Sequence, residues 1–259
     1  MQAAGAFGNL ASLPAAYGLA RSLLIYYGVP LRLARWRAFY RQFVLPGDLC
    51  FDVGAHVGNR LRALAGLGAR VVALEPHPVF LGLLQRWYGD WPGVIVVGQA
   101  VGARPDERDL MLSRRAPTVS TLSPEWAARV ANTPGFASVR WESTVRVPVT
   151  TLDRLIAQHG LPRFCKLDVE GSELEALQGL SVPLPALSFE VIPAAVELGL
   201  SCLDRLTSLG DYEFNRTVGE STRWLSPDWL GAAAMAAQLQ ALAPDSRSGD
   251  VYARLRPAP

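Results

Sequence analysis

Residues 51 to 59 read Phe51-Asp52-Val53-Gly54-Ala55-His56-Val57-Gly58-Asn59, and Val71-Val72-Ala73-Leu74-Glu75-Pro76 closes the same block. An apolar strand, a glycine turn, a helix from Val57 to Leu67 ending at Gly68, and a second strand ending in a carboxylate make the first half of a nucleotide-binding βαβ unit. Gly54 admits the tight turn, Gly58 lets the helix approach the strand, and the helix amino terminus presents free N–H groups. A dinucleotide site normally reads GxGxxG, whereas here an acid, Asp52, stands two residues before the first glycine.

Around this block the chain reads as one α/β domain. Its 259 residues are 50% hydrophobic with a formal charge of +2, so the chain can bury a large core and carries no nucleic-acid-sized basic field. Arg70 to Glu75 is a strand, and a helix opened by Pro78 carries Phe80, Leu83, Leu84 and Trp87 on its expected buried face. Val94 to Val101 is a third strand, ending at Gln99-Ala100-Val101-Gly102. Alternation of strands with helices of about ten residues implies parallel pairing in a doubly wound, mostly parallel sheet. The stretch from 103 to 148 breaks that rhythm. Asp109 to Leu112 and Ser138 to Val149 look antiparallel, with a short helix begun by Pro124 between them, which marks a β-rich insertion of the kind that carries specificity. Thr150-Thr151-Leu152-Asp153 and Ser172-x-x-Glu175 have the form of capping boxes. Strands at Phe164 to Val169, Leu187 to Val191, Tyr212 to Val218 and Val251 to Leu255, and helices at Val196 to Leu209 and Asp228 to Leu242, complete a domain over 47–256. The tail Pro257 to Pro259 reads as loose.

Residues 1–46 differ in character. Up to residue 47 the chain has five arginines and no acid, against a charge of −3 for the remainder. Leu23, Leu24 and Tyr27, then Leu31, Ala34, Arg35 and Ala38, suggest two helices broken near Gly28-Val29-Pro30, acting as an edge cover or lid. Peripheral contact with an anionic membrane surface and homodimerisation through these helices are the other roles such a segment serves. Arg21, Arg32, Arg35, Arg37 and Arg41 interrupt the apolar residues, so neither a signal peptide nor a spanning helix is expected. Cys50, Cys165 and Cys202 lie far apart among apolar neighbours and read as buried thiols of a reducing compartment, which makes the cytoplasm the expected location.

Two constellations carry chemistry. A buried acid at position 52 suits a ligand bearing ammonium and sulfonium charge better than one bearing pyrophosphate, which points to S-adenosylmethionine. Asp52 organises the loop of Gly54, Ala55, His56, Gly58 and Asn59, Glu75 beside Pro76 takes both ribose hydroxyls, and Gln99 and Ala100 complete the cofactor wall. The second constellation is Lys166-Leu167-Asp168-Val169-Glu170-Gly171. On a strand Lys166, Asp168 and Glu170 share one face, and three charges are tolerable there only at the carboxyl end, where the ligand crevice opens. The chain has 24 arginines and one lysine, Lys166, so this site needs a compact ammonium.

These blocks, together with Val147-Pro148-Val149-Thr150-Thr151-Leu152-Asp153, Ser172-Glu173 and Phe189-Glu190-Val191, resemble the FkbM-type methyltransferases from about residue 45 to residue 218. The resemblance implies a class I, Rossmann-like fold with a seven-stranded sheet, S-adenosylmethionine as cofactor, and O-methylation of a hydroxyl on a sugar, polyketide or other secondary metabolite. The loop asparagine usual in that family is His56 here. Near neutral pH an alcohol needs a base to accept its proton, and Asp168 is the first choice, Glu170 the second, with Lys166 as orienting group. Ser120 or Thr121 would donate hydrogen bonds to the substrate. Glu190 could join Asp168 and Glu170 around Mg²⁺, but no His or Cys supports such a site and no metal is expected. The competing readings are an NAD-dependent oxidoreductase and a non-catalytic scaffold.

Overall fold

The computed structural model describes residues 23–24, 27–133 and 135–256. In chain order the elements are α1 (Arg32–Tyr40), β1 (Leu49–Val53), α2 (Asn59–Ala65), β2 (Arg70–Leu74), α3 (Pro78–Tyr88) and β3 (Val94–Val97). Then follow β4 (Ala100–Val101), β5 (Asp106–Leu112), α4 (Pro124–Val130), β6 (Ser143–Thr150), α5 (Leu152–His159), β7 (Phe164–Leu167) and α6 (Glu173–Gln178). β8 (Ala186–Val191), α7 (Val196–Leu209), β9 (Tyr212–Arg216), α8 (Ala232–Gln240) and β10 (Gly249–Leu255) end the chain. Seven strands form one sheet in the order β3-β2-β1-β7-β8-β10-β9. All neighbours from β3 to β8 are parallel, and β10 runs antiparallel to both β8 and β9.

Every residue of β1 and of β7 is buried. This follows from helices covering both faces of a parallel sheet, which makes its strands continuous apolar runs. Leu167, Phe189, Leu203 and Leu206 belong to a core layer on one face, while Cys50, Phe164, Ala73 and Tyr252 belong to a layer on the other. The chain winds outward from β1 in one direction as β2 and β3 and in the other as β7 and β8. The topological switch point therefore lies between β1 and β7, where an open α/β sheet binds its ligand.

The insertion forms its own three-stranded sheet, β4-β6-β5. The expected third strand from Val94 to Val101 is in fact two: β3 ends at Val97, Gly98 and Gln99 break the ladder, and β4 pairs in parallel with β6. That break roots the insertion where β3 leaves the main sheet. β5 and β6 pair antiparallel from Asp106 opposite Val149 to Leu112 opposite Ser143.

Several local expectations are corrected. The α2 helix starts at Asn59, because Gly58, with φ 81°, cannot belong to a right-handed helix and serves as its cap. On α3 the buried face is Phe80, Leu84 and Tyr88, and Trp87 is 39% exposed, so the 80-84-88 ridge faces the core. Both capping boxes are shifted. Thr151 caps α5 by accepting from the Arg154 N–H at 3.1 Å, while Asp153 accepts from the Ser181 N–H. At α6 the carboxylate of Glu173 holds the N–H groups of Val169 and Gly171, and Glu175 pairs with Arg108 on the insertion. The α8 helix begins at Ala232, four residues after the expected Asp228.

α1 buries Trp36, Phe39 and Tyr40, whereas Ala34, Arg35 and Ala38 face solvent. The helix is thus an aromatic wall of the core: Phe39 packs on Tyr252 and Trp224, and Tyr40 on Phe164. The guanidinium of Arg60 lies 3.2 Å from the ring centre of Trp36. The remaining calls on Arg21 and on Pro257 to Pro259 lie outside the described residues. Cys50, Cys165 and Cys202 are buried free thiols. Among the described residues no helix is long and apolar enough to cross a membrane. Truncating Trp36 to alanine is expected to cost about 3–5 kcal/mol, as for other buried aromatics, while Ala38→Ser stays within about 0.5 kcal/mol. Urea unfolding of the two variants checks this, and a Trp36→Ala protein as stable as wild type would place α1 outside the core.

Candidate active site

A cleft of about 890 Å³ opens at the switch point, lined by residues from the β1, β2 and β7 ends and from the insertion. Its floor is built by two loops that nearly touch. Gly54 (φ 78°) approaches the backbone of Asp168 so closely that a Cβ on Gly54 would lie 1.8 Å from the Asp168 carbonyl oxygen. Any side chain there would push the two loops apart. The Asp168 N–H donates to the Val53 carbonyl at 3.0 Å, and the N–H groups of Gly54 and Ala55 both donate to Leu74, so β1, β2 and β7 are fastened at one point.

Of the residues singled out from the sequence, Gly54, His56, Asn59, Glu75, Pro76, Gln99, Ala100, Ser120, Lys166, Asp168 and Glu170 line this cleft. Asp52, Ala55, Gly58 and Thr121 do not. Ala55 is buried, and Gly58 lies against Tyr88 and Leu84, so both serve packing. Asp52 is fully buried below the loop, opposite Lys166 in the β1–β7 register. Thr121 is committed to structure: its hydroxyl donates to the Glu170 carbonyl at 2.6 Å and accepts from the Ser123 N–H. Ser120 faces the cleft with its proton given to the Pro117 carbonyl, which leaves it an acceptor and not the donor expected.

Glu75 directly follows β2, with one oxygen toward the glycine loop and the other toward its own connection to α3. Oε2 accepts from the His56 N–H at 2.7 Å and Oε1 from the His77 N–H at 2.8 Å. Burial pushes its carboxyl up to about 7 although these two N–H groups oppose the rise. Each oxygen keeps a lone pair, so the carboxylate is preset for a diol. His56 sits at φ 50°, its ring edge-on to Phe80 at 4.2 Å between centroids. Burial lowers its imidazole to about 3, so it is neutral at physiological pH and shapes the loop wall.

At the β7 end, Lys166 is 3% exposed and its Nζ donates to Asp168 Oδ2 at 2.5 Å. Burial alone would lower the ammonium, yet Asp168, Asp52 and Asp250 raise it, so it stays charged. Burial raises Asp168 too, but the neighbouring Lys166 outweighs that and holds it below the usual carboxylate range. Glu170, at φ 50°, is raised well above that range by burial and by Glu190, Asp168 and Glu173.

Arg60, Phe80, Leu110, Thr118, Ser172 and Glu220 also line the cleft, although the sequence pattern marks none of them as a site residue: Phe80 reads as core and Ser172 as a helix cap. Arg60 is buried in the first turn of α2 and pairs with Glu220 at 3.0 Å across 160 residues of sequence. Only its position beside Asn59 hinted at it. Glu220 sits in a connection with no motif and gave no signal.

The Methyltransferase FkbM domain model matches residues 52–199, more than half of the chain. A hexuronic acid methyltransferase, AglP, of Haloferax volcanii is 26% identical over 147 residues, covering 56% of this chain. The chain spans 55% of that relative's length. Among solved structures, a precorrin-6y C5,15-methyltransferase from Geobacter metallireducens shares 9% identity, with 86% of this chain and 87% of that chain covered and a TM-score of 0.45. A TehB-like S-adenosylmethionine-dependent methyltransferase from Corynebacterium glutamicum, also 9% identical, covers 94% of this chain and 98% of that one with a TM-score of 0.45. With its glycine loop, acid-tipped β2 and charged β7 end all inside the matched segment, the chain belongs to the FkbM methyltransferase family, whose cofactor is S-adenosylmethionine.

Proposed function

We propose that this chain methylates a hydroxyl of a sugar or sugar-like secondary metabolite, with Asp168 accepting the hydroxyl's proton. The observation that carries the reading is the Lys166–Asp168 ion pair on the wall of the cleft that Gly54 and Glu75 also line. The sugar class is supported by the relative from Haloferax volcanii, named for a hexuronic acid.

The cleft fits the cofactor on its own terms. Glu75 offers a preset diol acceptor, and Asp168, held ionised beside Lys166, gives the cavity wall an anionic group suited to a cationic ligand. That wall would repel a pyrophosphate, which counts against the dinucleotide reading. Glu75 would hold the ribose, with Pro76, Gln99 and Ala100 flanking the base, and His56 and Asn59 shaping the side of the amino-acid end. When bound, S-adenosylmethionine supplies a methyl group on a positively charged sulfur, which leaves as a neutral thioether. The C–O bond forms as the C–S bond breaks, and the hydroxyl proton passes to Asp168. That proton becomes strongly acidic as the bond forms, so a carboxylate kept ionised by Lys166 suffices as its acceptor. Lys166 holds the carboxylate in one orientation and prevents it from carrying a proton beforehand.

Asp168→Asn, isosteric but without basicity, is expected to lower kcat by about 10²–10⁴-fold while leaving S-adenosylhomocysteine affinity within about threefold, read by calorimetry beside steady-state kinetics. Near wild-type turnover in both Asp168→Asn and Glu170→Gln would end the assignment. The pH profile separates the two acids. Asp168, held below the usual carboxylate range by Lys166, is ionised throughout the neutral range, so turnover should show no rising limb there. A rise through the neutral and alkaline range would instead give the role to Glu170, whose raised pKa must be passed before it can accept a proton. Glu75→Ala should weaken S-adenosylhomocysteine binding by at least about tenfold, since two hydrogen bonds to a charged group are lost.

A further inference from the structure

Carboxylate oxygens of Asp168, Glu170 and Glu190 lie within 4.8 Å of one another. Asp168 and Glu170 follow β7 and line the cleft, and Glu190, near the end of the parallel neighbour β8, approaches them from an adjoining pocket that it lines with Trp126, Gly171 and Glu173. Asp250 stands opposite Glu190 in the β8–β10 register, and Asp52 stands opposite Lys166 in the β1–β7 register. Against these five carboxylates Lys166 supplies one charge, through Asp168 Oδ2, and buried Arg60, which also pairs with Glu220, supplies a second that it shares with Asp52, Asp168 and Asp250.

A second observation points to a ligand at this cluster. Ser172, 3% exposed, lines the same cleft as Asp168 and Glu170, and its hydroxyl has no hydrogen-bond partner among the described residues. Glu170 Oε2, shielded from solvent, likewise has none. A carboxylate oxygen out of water and flanked by like charges is costly unless a proton or a cation meets it. The donors gathered here are carboxylates and a hydroxyl; the lack of thiolate or imidazole, which in the sequence alone counts against a metal, leaves the hard oxygen set that Mg²⁺ and Mn²⁺ favour.

We propose that Asp168, Glu170 and Glu190 bind a divalent cation of the Mg²⁺/Mn²⁺ class where the cleft meets the adjoining pocket that Glu190 lines. Its purpose rests on the methyl-transfer reading: the cation offsets the surplus negative charge and gives the acceptor's oxygen an electropositive point against which to orient. The site itself is defined by the acids and stands apart from that purpose.

The test is a titration of the full chain, stripped with a chelator and exchanged into metal-free buffer, with Mn²⁺ followed by electron paramagnetic resonance. The expected result is one Mn²⁺ bound per chain at submillimolar concentration, displaced by Mg²⁺. Affinity should fall at least about tenfold in Glu190→Gln and in Glu170→Gln, each checked for folding by circular dichroism, and be unchanged in Asp245→Asn, an exposed acid outside the cluster. No binding by the wild-type chain, or binding undiminished in both glutamine variants, overturns the proposal. Calorimetry with S-adenosylhomocysteine on the same preparation keeps the two ideas apart. Cofactor binding without Mn²⁺ binding removes the cation alone, and Mn²⁺ binding without cofactor binding supports the cation while removing the reading of the cleft as a methyl-transfer site.

Discussion

One buried ammonium holds the catalytic end of this sheet together. Lys166 sits in β7 between Asp52 on β1 and Ser188 on β8, in register with both, and reaches up to Asp168. Without it the acids around it would be uncompensated charges in a region walled by Phe164, Tyr252 and Tyr40, and burying one such charge costs several kcal/mol. In a protein that uses arginine for every other cation, the compact shape matters. An ammonium donates from a single point and fits between adjacent strands, whereas a planar guanidinium fork spans more space. Every further feature of the cleft follows from that placement. The β7 end can carry charge, Asp168 is kept ionised, and its backbone is free to approach Gly54.

On the proposed reading, the close approach of the β1 and β7 loops joins cofactor chemistry to acceptor chemistry. Gly54 belongs to the loop proposed to face the nucleotide, and Asp168 to the wall proposed to face the reacting group, and their backbones nearly touch. Glu75 is tied into the same assembly, because its carboxylate fixes the backbone of His56 while remaining available to a diol. The distance between the two half-sites is thereby set by main-chain contacts, which are stiffer than side-chain contacts and suit a reaction that needs its partners in line.

Most of this was legible in the sequence because it depends on local pattern. Continuous apolar strands and the Gly54–Gly58 spacing each reduce to backbone geometry, and the sheet follows from them; Lys166, Asp168 and Glu170 do line one cleft, but not through the strand alternation expected, since β7 ends at Leu167 and Glu170 sits at φ 50°. What escaped depends on contacts distant in sequence. The aromatic face of α1 was misread because its buried residues, Trp36, Phe39 and Tyr40, alternate with arginines whose charges drew attention to the surface. Trp87 fell outside the core because the ridge toward the sheet runs through Tyr88, a difference of one residue that periodicity cannot fix. The Arg60–Glu220 pair and the commitment of Thr121 to the Glu170 carbonyl both join elements on different strands and loops. Glu173 shows the same limit at short range. Two acids follow Ser172, and the one that caps the helix is decided by where the chain turns at Gly171, with φ 92°.

The central claim is that the cleft between the β1 and β7 ends passes a methyl group to a sugar hydroxyl. The most direct measurement incubates the purified chain with S-adenosylmethionine carrying a trideuterated methyl group and a panel of uronic acids and neutral sugar conjugates, followed by mass spectrometry of the products. The account predicts a product heavier by one CD₃-for-H replacement, on an oxygen, formed by the wild-type chain and not by Asp168→Asn. A chain that binds S-adenosylhomocysteine yet labels no acceptor oxygen, or labels it equally well after Asp168→Asn, would contradict it.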